Sequence, residues 1–375
     1  TQNLKVPIKN PTDHFDVLTY QGNGEAGRQI SGLNFKPDLI WLKERSSTSA
    51  WCVFDTARGV GKRLFFNNRN NEESGYETVY MPSLNQTGFS VGTDGSTNQD
   101  GQEYVAYCWK GGNGTVKNDE GVKKAGTQGI ITDVSANPEA GFSIVRWTGS
   151  GQSGSVSAPV ELGHGLNDAP KFVQTKVYSG GNTSSSQGDW WYYYEEKYGD
   201  FRALRAALNQ NASYAYQDGS NAMRLSLDAN KKCISATNGT SFSVNGLKYV
   251  AYCWAEIPQY SKFGVYRGNG DAGGEVVYTG FKPSFLIIHK ILNNSNSVGM
   301  DWAVFLDSGR NPTNKRGRHN LYPGLSNGDD TEGGTIDFLA SGFRVRSSDN
   351  IFNTDNSVYF YAAWAESPFT NATSK

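Results

Sequence analysis

The stretch Tyr104-Val105-Ala106-Tyr107-Cys108-Trp109 returns letter for letter as Tyr249-Val250-Ala251-Tyr252-Cys253-Trp254. It returns once more, altered, as Tyr359-Phe360-Tyr361-Ala362-Ala363-Trp364. A six-residue run of aromatic, β-branched and small residues between polar turn residues predicts a strand buried on both faces or in a sandwich core. Each copy closes one repeat, so the chain is a triplication.

The same landmarks precede each closing strand in the same order. An opening strand runs Phe15 to Tyr20, Phe142 to Trp147 and Phe263 to Tyr266. A glycine turn follows it (Gly22-Asn23-Gly24, Gly149-Ser150-Gly151, Gly268-Asn269-Gly270), and then a proline, Pro37, Pro170 or Pro283. Behind the proline comes an apolar strand ending in lysine, at Lys43, Lys176 and Lys290. A tryptophan-led strand is next: Trp51 to Asp55, Trp190 to Glu195 and Trp302 to Asp307. The closing tyrosines are unevenly spaced, so the skeleton carries loop insertions, which predicts three domains and not a solenoid. The expected boundaries are an anchoring segment 1–12, repeats at 13–110, 130–256 and 257–369, a linker 111–129 and a tail 370–375.

A chain of 375 residues is longer than one hydrophobic core usually serves. Abundant glycine (44), scarce methionine (3) and 13% aromatic residues predict an all-β protein of three tandem jelly-roll-like β-sandwiches, each with its own core. The glycine- and lysine-rich linker predicts a loosely attached first repeat, whereas the short Ala255-Glu256-Ile257-Pro258 connection predicts a rigid second and third pair. Phe201 to Leu208 has apolar residues at spacings of three and four and predicts a short helical insert in the second repeat. A net charge of −1 without a basic stripe argues against nucleic acid or an anionic membrane surface as the main partner, and no run approaches the apolar length of a membrane span. Thr1 to Asn10 has no signal-peptide pattern, so synthesis in a cytosol is expected. Cys52 aligns with Ala303, and Cys108 and Cys253 with Ala363, which predicts buried, reduced thiols; Cys233 has no counterpart.

Motifs that could carry chemistry weaken on inspection. Gly22-x-Gly24-x-x-Gly27 and its two counterparts match a dinucleotide fingerprint, but a strand pattern follows each, and phosphate binding there needs a helix. Hairpin turns explain all three, and no cofactor or metal is expected. The carboxylate pairs Glu72-Glu73, Glu195-Glu196 and Asp329-Asp330 do not recur in every repeat, and strand neighbours point to opposite faces. The four histidines show no ligand spacing and no nucleophile elbow is present, so no catalytic residue is assigned. Two surfaces stand as candidates for a glycan or protein contact. One is Trp191 with Tyr194 in the aromatic cluster Trp190 to Tyr194, where core packing is the competing reading. The other is the basic loop with Lys315, Arg316 and Arg318, where a solvated loop is the competing reading.

The series Phe-x-Val-x-x-Tyr-x-Gly-Asn-Gly, Gly-Leu-x-Phe-x-Pro-Asp, Trp-x-Val-Phe-Asp, Gly-Phe-Ser-Val and Tyr-Val-Ala-Tyr-Cys-Trp resembles the repeated domain of bacteriophage structural proteins. The resemblance is to tail-fibre and other virion proteins of marine and cyanobacterial phages, and it runs from Phe15 to Phe369. It implies a non-enzymatic virion component folded in the host cytoplasm, with concanavalin- or SPRY-like sandwiches. The absence of a heptad or collagen-like stalk favours a knob or decoration as much as a fibre. Expected partners are other head or tail proteins, and a host-surface glycan where the appendage serves attachment, with several copies or a homo-oligomer on the particle. A free lectin-like protein and a polysaccharide depolymerase are the alternatives. The alternating segment Leu4-Lys5-Val6-Pro7-Ile8 reads as an edge strand, which makes Leu4, Val6 and Ile8 the candidate particle anchor.

Overall fold

A computed structural model describes residues 8–123, 128–151, 160–182, 188–197, 200–206, 225–227, 232–236, 242–292, 303–310, 319–330 and 336–366, with backbone alone at 195–197, 200–206, 225–227, 236 and 292. The fold is all-β, and the three α-helices among these residues are single turns.

Each repeat is built on one antiparallel strand order: opening, closing, proline-led, tryptophan-led. In the first repeat these are Phe15–Gln21, Glu103–Trp109, Leu39–Glu44 and Cys52–Asp55. In the second they are Phe142–Thr148, Lys248–Ala255, Pro170–Ser179 and Trp190–Lys197. In the third they are Ser261–Arg267, Val358–Ala365, Pro283–Leu292 and Val304–Asp307. A separate three-stranded sheet completes the sandwich of the first repeat (Arg28–Ser31, Gly88–Val91, Leu84–Asn85) and of the third (Val276–Tyr278, Gly342–Val345, Ile336–Leu339). The second repeat has one ten-stranded sheet instead. Its far strands, Val160–Gly163 and Cys233–Ala236, fold back so that Val160, Leu162 and Ile234 pack with Val173 and Tyr249.

The closing motif is explained by its period of two. Tyr104, Ala106 and Cys108 face the sandwich core of their own repeat, while Val105, Tyr107 and Trp109 face a core common to all three repeats. Tyr249, Ala251 and Cys253 against Val250, Tyr252 and Trp254 repeat the division, as do Tyr359, Tyr361 and Ala363 against Phe360, Ala362 and Trp364. A central strand with two buried faces has no polar position, which is why the motif is apolar throughout. The first tyrosine of each motif stacks on the end of the opening strand: Tyr104 on Tyr20 at 4.9 Å, Tyr249 on Trp147 at 5.0 Å and Tyr359 on Tyr266 at 5.0 Å. The glycine turns are also structural. Gly24, Gly151 and Gly270 have φ of +69°, +79° and +67°, and a Cβ on Gly22, Gly149 or Gly268 would lie within 2.3 Å of a backbone oxygen.

Four expectations are corrected. The repeats have their own cores but also share one, so the first repeat is not loosely attached. The segment expected to be a linker contributes the strand Val116–Asn118 to the second repeat's sheet, and Gly111 and Gly112 donate N–H groups to Asp38 and Ser135. The expected helix at Phe201 to Leu208 is instead the strand Asp200–Ala206, paired with Trp190–Lys197. Its aromatic, β-forming partner decides the conformation over a weak helical spacing. Finally, register sets Asp307 level with Asp55 and Val304 level with Cys52, so Ala303 stands where the first two repeats carry Trp51 and Trp190.

Candidate functional site

The shared core closes on three tryptophans. The indole rings of Trp109 and Trp254 lie 5.8 Å apart, those of Trp109 and Trp364 5.6 Å, and those of Trp254 and Trp364 5.9 Å, with interplanar angles of 64°, 74° and 72°. This near-equilateral, edge-to-face triangle gives the chain a pseudo-threefold axis, and edge-to-face contact is the favoured geometry for paired aromatic rings.

Around the axis each repeat leans on the next, and two of the three interfaces use one device. Tyr252 of the second repeat donates to Asp55 Oδ2 of the first at 2.7 Å, and Arg58 Nε donates to the same oxygen at 2.6 Å. Tyr107 of the first donates to Asp307 Oδ2 of the third at 2.8 Å, and Arg310 Nε donates to it at 2.6 Å. A tryptophan indole crosses each interface to a backbone carbonyl, Trp190 to Phe65 at 2.6 Å and Trp51 to Tyr322 at 3.0 Å. A second carboxylate completes each arginine: Glu72 at 3.3 Å from Arg58 and Asp329 at 2.7 Å from Arg310. Burial opposes the charge on both arginines, but the carboxylates and tyrosines around them outweigh it and drive both pKa values up. Burial pushes the Tyr107 and Tyr252 hydroxyls well above their ordinary pKa, so they act as neutral donors.

The third interface replaces this device by apolar packing. Tyr194 occupies the register position of Asp55 and Asp307, and Ala362 that of Tyr107 and Tyr252. Tyr194 packs on Phe360 at 5.0 Å. With Ala303 in place of a tryptophan, a cavity of about 20 Å³ remains between Tyr192 and Tyr194 of the second repeat and Ile287, Phe305 and Phe360 of the third. A basic residue is buried at each interface by register: Lys43, Lys176 and His289. Burial lowers Lys176 to about 7, with Asp189 opposing, and Lys43 to about 8, with Glu44 opposing.

These positions revise the candidate contacts. Tyr194 is 2% exposed and serves the shared core, so it is not a surface for a glycan. Trp191 is half-buried against the second repeat's sandwich core. Ile8 is 2% exposed within the shared core, which seats it on its own chain. Leu4, Val6, Lys315, Arg316 and Arg318 lie outside the described residues; the neighbouring His319 bonds Asp329 at 2.9 Å. The carboxylates Glu72, Glu73 and Asp329 are held by Arg58, Arg63 and Arg310 and are not paired for acid–base work. Cys52, Cys108 and Cys253 are buried thiols, with Cys52 raised to about 11 and Cys253 to about 12, mainly by burial. The interface device had a sequence signal, Asp-x-x-Arg at Asp55-Thr56-Ala57-Arg58 and again at Asp307-Ser308-Gly309-Arg310.

The model of a domain of unknown function, DUF7483, matches residues 10–368. The chain belongs to the DUF7483 family. A DUF7483 unit therefore spans all three repeats, in keeping with a core that none of them completes alone. No curated protein and no solved structure matches this DUF7483 chain.

Proposed function

We propose that the protein is a non-enzymatic structural component of a bacteriophage particle, a compact knob or decoration on head or tail that mediates attachment. The observation that carries this reading is that the repeated residues are spent on architecture. The closing motifs, turn glycines and Asp-x-x-Arg pairs build cores, turns and interfaces. Among the described residues, no group of three His, Cys, Asp or Glu is placed to hold a metal ion, and no helix is long and apolar enough to cross a membrane. The resemblance of the same residues to phage virion domains supplies the setting, and a globular body suits an appendage. Mass spectrometry of purified particles, with cryo-electron microscopy to place the density, tests it. A stoichiometric band and a three-lobed density are expected; absence from particles overturns the proposal.

A further inference from the structure

Among the described residues, only the second repeat extends its sheet past the opening strand, through Thr132–Asn137 and Val116–Asn118. With those strands comes a cleft of about 320 Å³, lined by Lys117, Asp133, Arg146, Thr148, Lys248 and Tyr178. The residues come from five adjacent strands. Asp133 lies opposite both Lys117 and Arg146, and Thr148 lies opposite Lys248, so these side chains share one face. Tyr178 is the extra residue of a register shift between Val177 and Ser179, the kind of bulge that re-aims a side chain.

Asp133 takes Lys117 at 2.7 Å and Arg146 at 3.3 Å. Lys248 is exposed and makes no ion pair with any described residue, so the cleft holds three cations against one carboxylate. Beside the charges stand the Thr148 hydroxyl, the largely buried Tyr178 and an apolar flank, Ile131, which is 50% exposed. A simple anion would use only the cations. A sugar acid matches the mixture: a carboxylate suits Lys248 and Arg146, ring hydroxyls suit Asp133 and Thr148, and a C–H face suits Ile131. The volume is at the lower end for small-ligand pockets, about 300 Å³ upward, which suits one or two sugar rings. The set is particular to this repeat. Where it has Thr148 opposite Lys248, the first has Gln21 opposite Glu103 and the third Arg267 opposite Val358; where it has Arg146, they have Thr19 and Val265.

We propose that this cleft binds a carboxylated sugar residue of the hexuronate type. The site stands on its own geometry, wherever the protein resides. Calorimetric titration of the full chain with methyl glucuronide, methyl glucoside and inorganic phosphate tests it. Saturable glucuronide binding is expected, about tenfold tighter than the glucoside, and weakened at about 0.5 M NaCl. Lys248→Glu is expected to lower glucuronide affinity at least about tenfold with an unchanged Tm, because the side chain is exposed and carries no structural ion pair. Thr148→Ala serves as a second variant that leaves the charges intact and weakens the glucuronide and glucoside alike. No saturable glucuronide binding up to about 20 mM, or equal affinity in Lys248→Glu, overturns the proposal. Phosphate binding as tight as glucuronide overturns its sugar component and leaves a plain anion patch.

Discussion

The Tyr252 hydroxyl donates to Asp55 Oδ2 across 2.7 Å, joining the closing strand of the second repeat to the tryptophan-led strand of the first. The same oxygen takes Arg58, and Tyr107 with Asp307 and Arg310 repeats the arrangement one interface further round. The interfaces are heterologous, each repeat offering one surface forward and another back, and three such contacts close a ring.

Asp55→Asn is expected to cost about 3–5 kcal/mol, because it leaves the buried Arg58 without its main counter-charge. Tyr252→Phe removes one hydrogen bond and leaves the ion pair, for about 1–2 kcal/mol. Urea unfolding of both variants and the double mutant measures the coupling; equal costs for the two single changes would contradict the assigned roles.

Trp109→Ala is expected to cost about 3–5 kcal/mol, the range for a fully buried large aromatic residue. Because Trp109 touches both Trp254 and Trp364, fluorescence and circular dichroism should still report one common transition for the three repeats. Separate transitions would mean that the repeats fold independently.

Ala303→Val adds methyl groups toward the cavity of about 20 Å³ at the third interface, and a rise of about 0.5–1 kcal/mol is expected. A fall in Tm of the variant would show that the cavity walls cannot accept the added volume.

Lys176 gives stability a pH dependence. Its pKa in the folded state is lowered to about 7, mainly by burial, so between that value and its unfolded pKa the unfolded chain binds more protons. Stability therefore rises with pH from about 7 upward, and the penalty is fully present below it. Lys43, lowered to about 8 by burial, adds to the rise from about one pH unit higher. Melting curves from about pH 6.5 to 9 should show the rise, and Lys176→Met should flatten it while raising Tm most at the acid end. Parallel profiles for the two proteins would exclude Lys176 as the source.

The recurrence of Tyr104 to Trp109 made the triplication, the strand type and the all-β class legible, because a central strand has to be apolar on both faces. The turn glycines were legible for a similar local reason, since positive φ and close backbone approach exclude a side chain wherever the turn sits. Local spacing misjudged Asp200–Ala206, whose conformation depends on its partner Trp190–Lys197. It also misjudged Ala303, whose place depends on a register set by Phe285 opposite Asp307.

The sequence by itself determined the all-β class, the threefold recurrence and the order in which the strands follow one another along each repeat. Only the tertiary structure decided that Trp109, Trp254 and Trp364 meet on one axis. Only there does Tyr107 find Asp307, 200 residues along the chain. The physical reason is that period and composition state which face of a strand avoids water, whereas they are silent on what covers it. That choice is made by shape and charge complementarity between distant segments, and it is visible only when the three repeats are packed together.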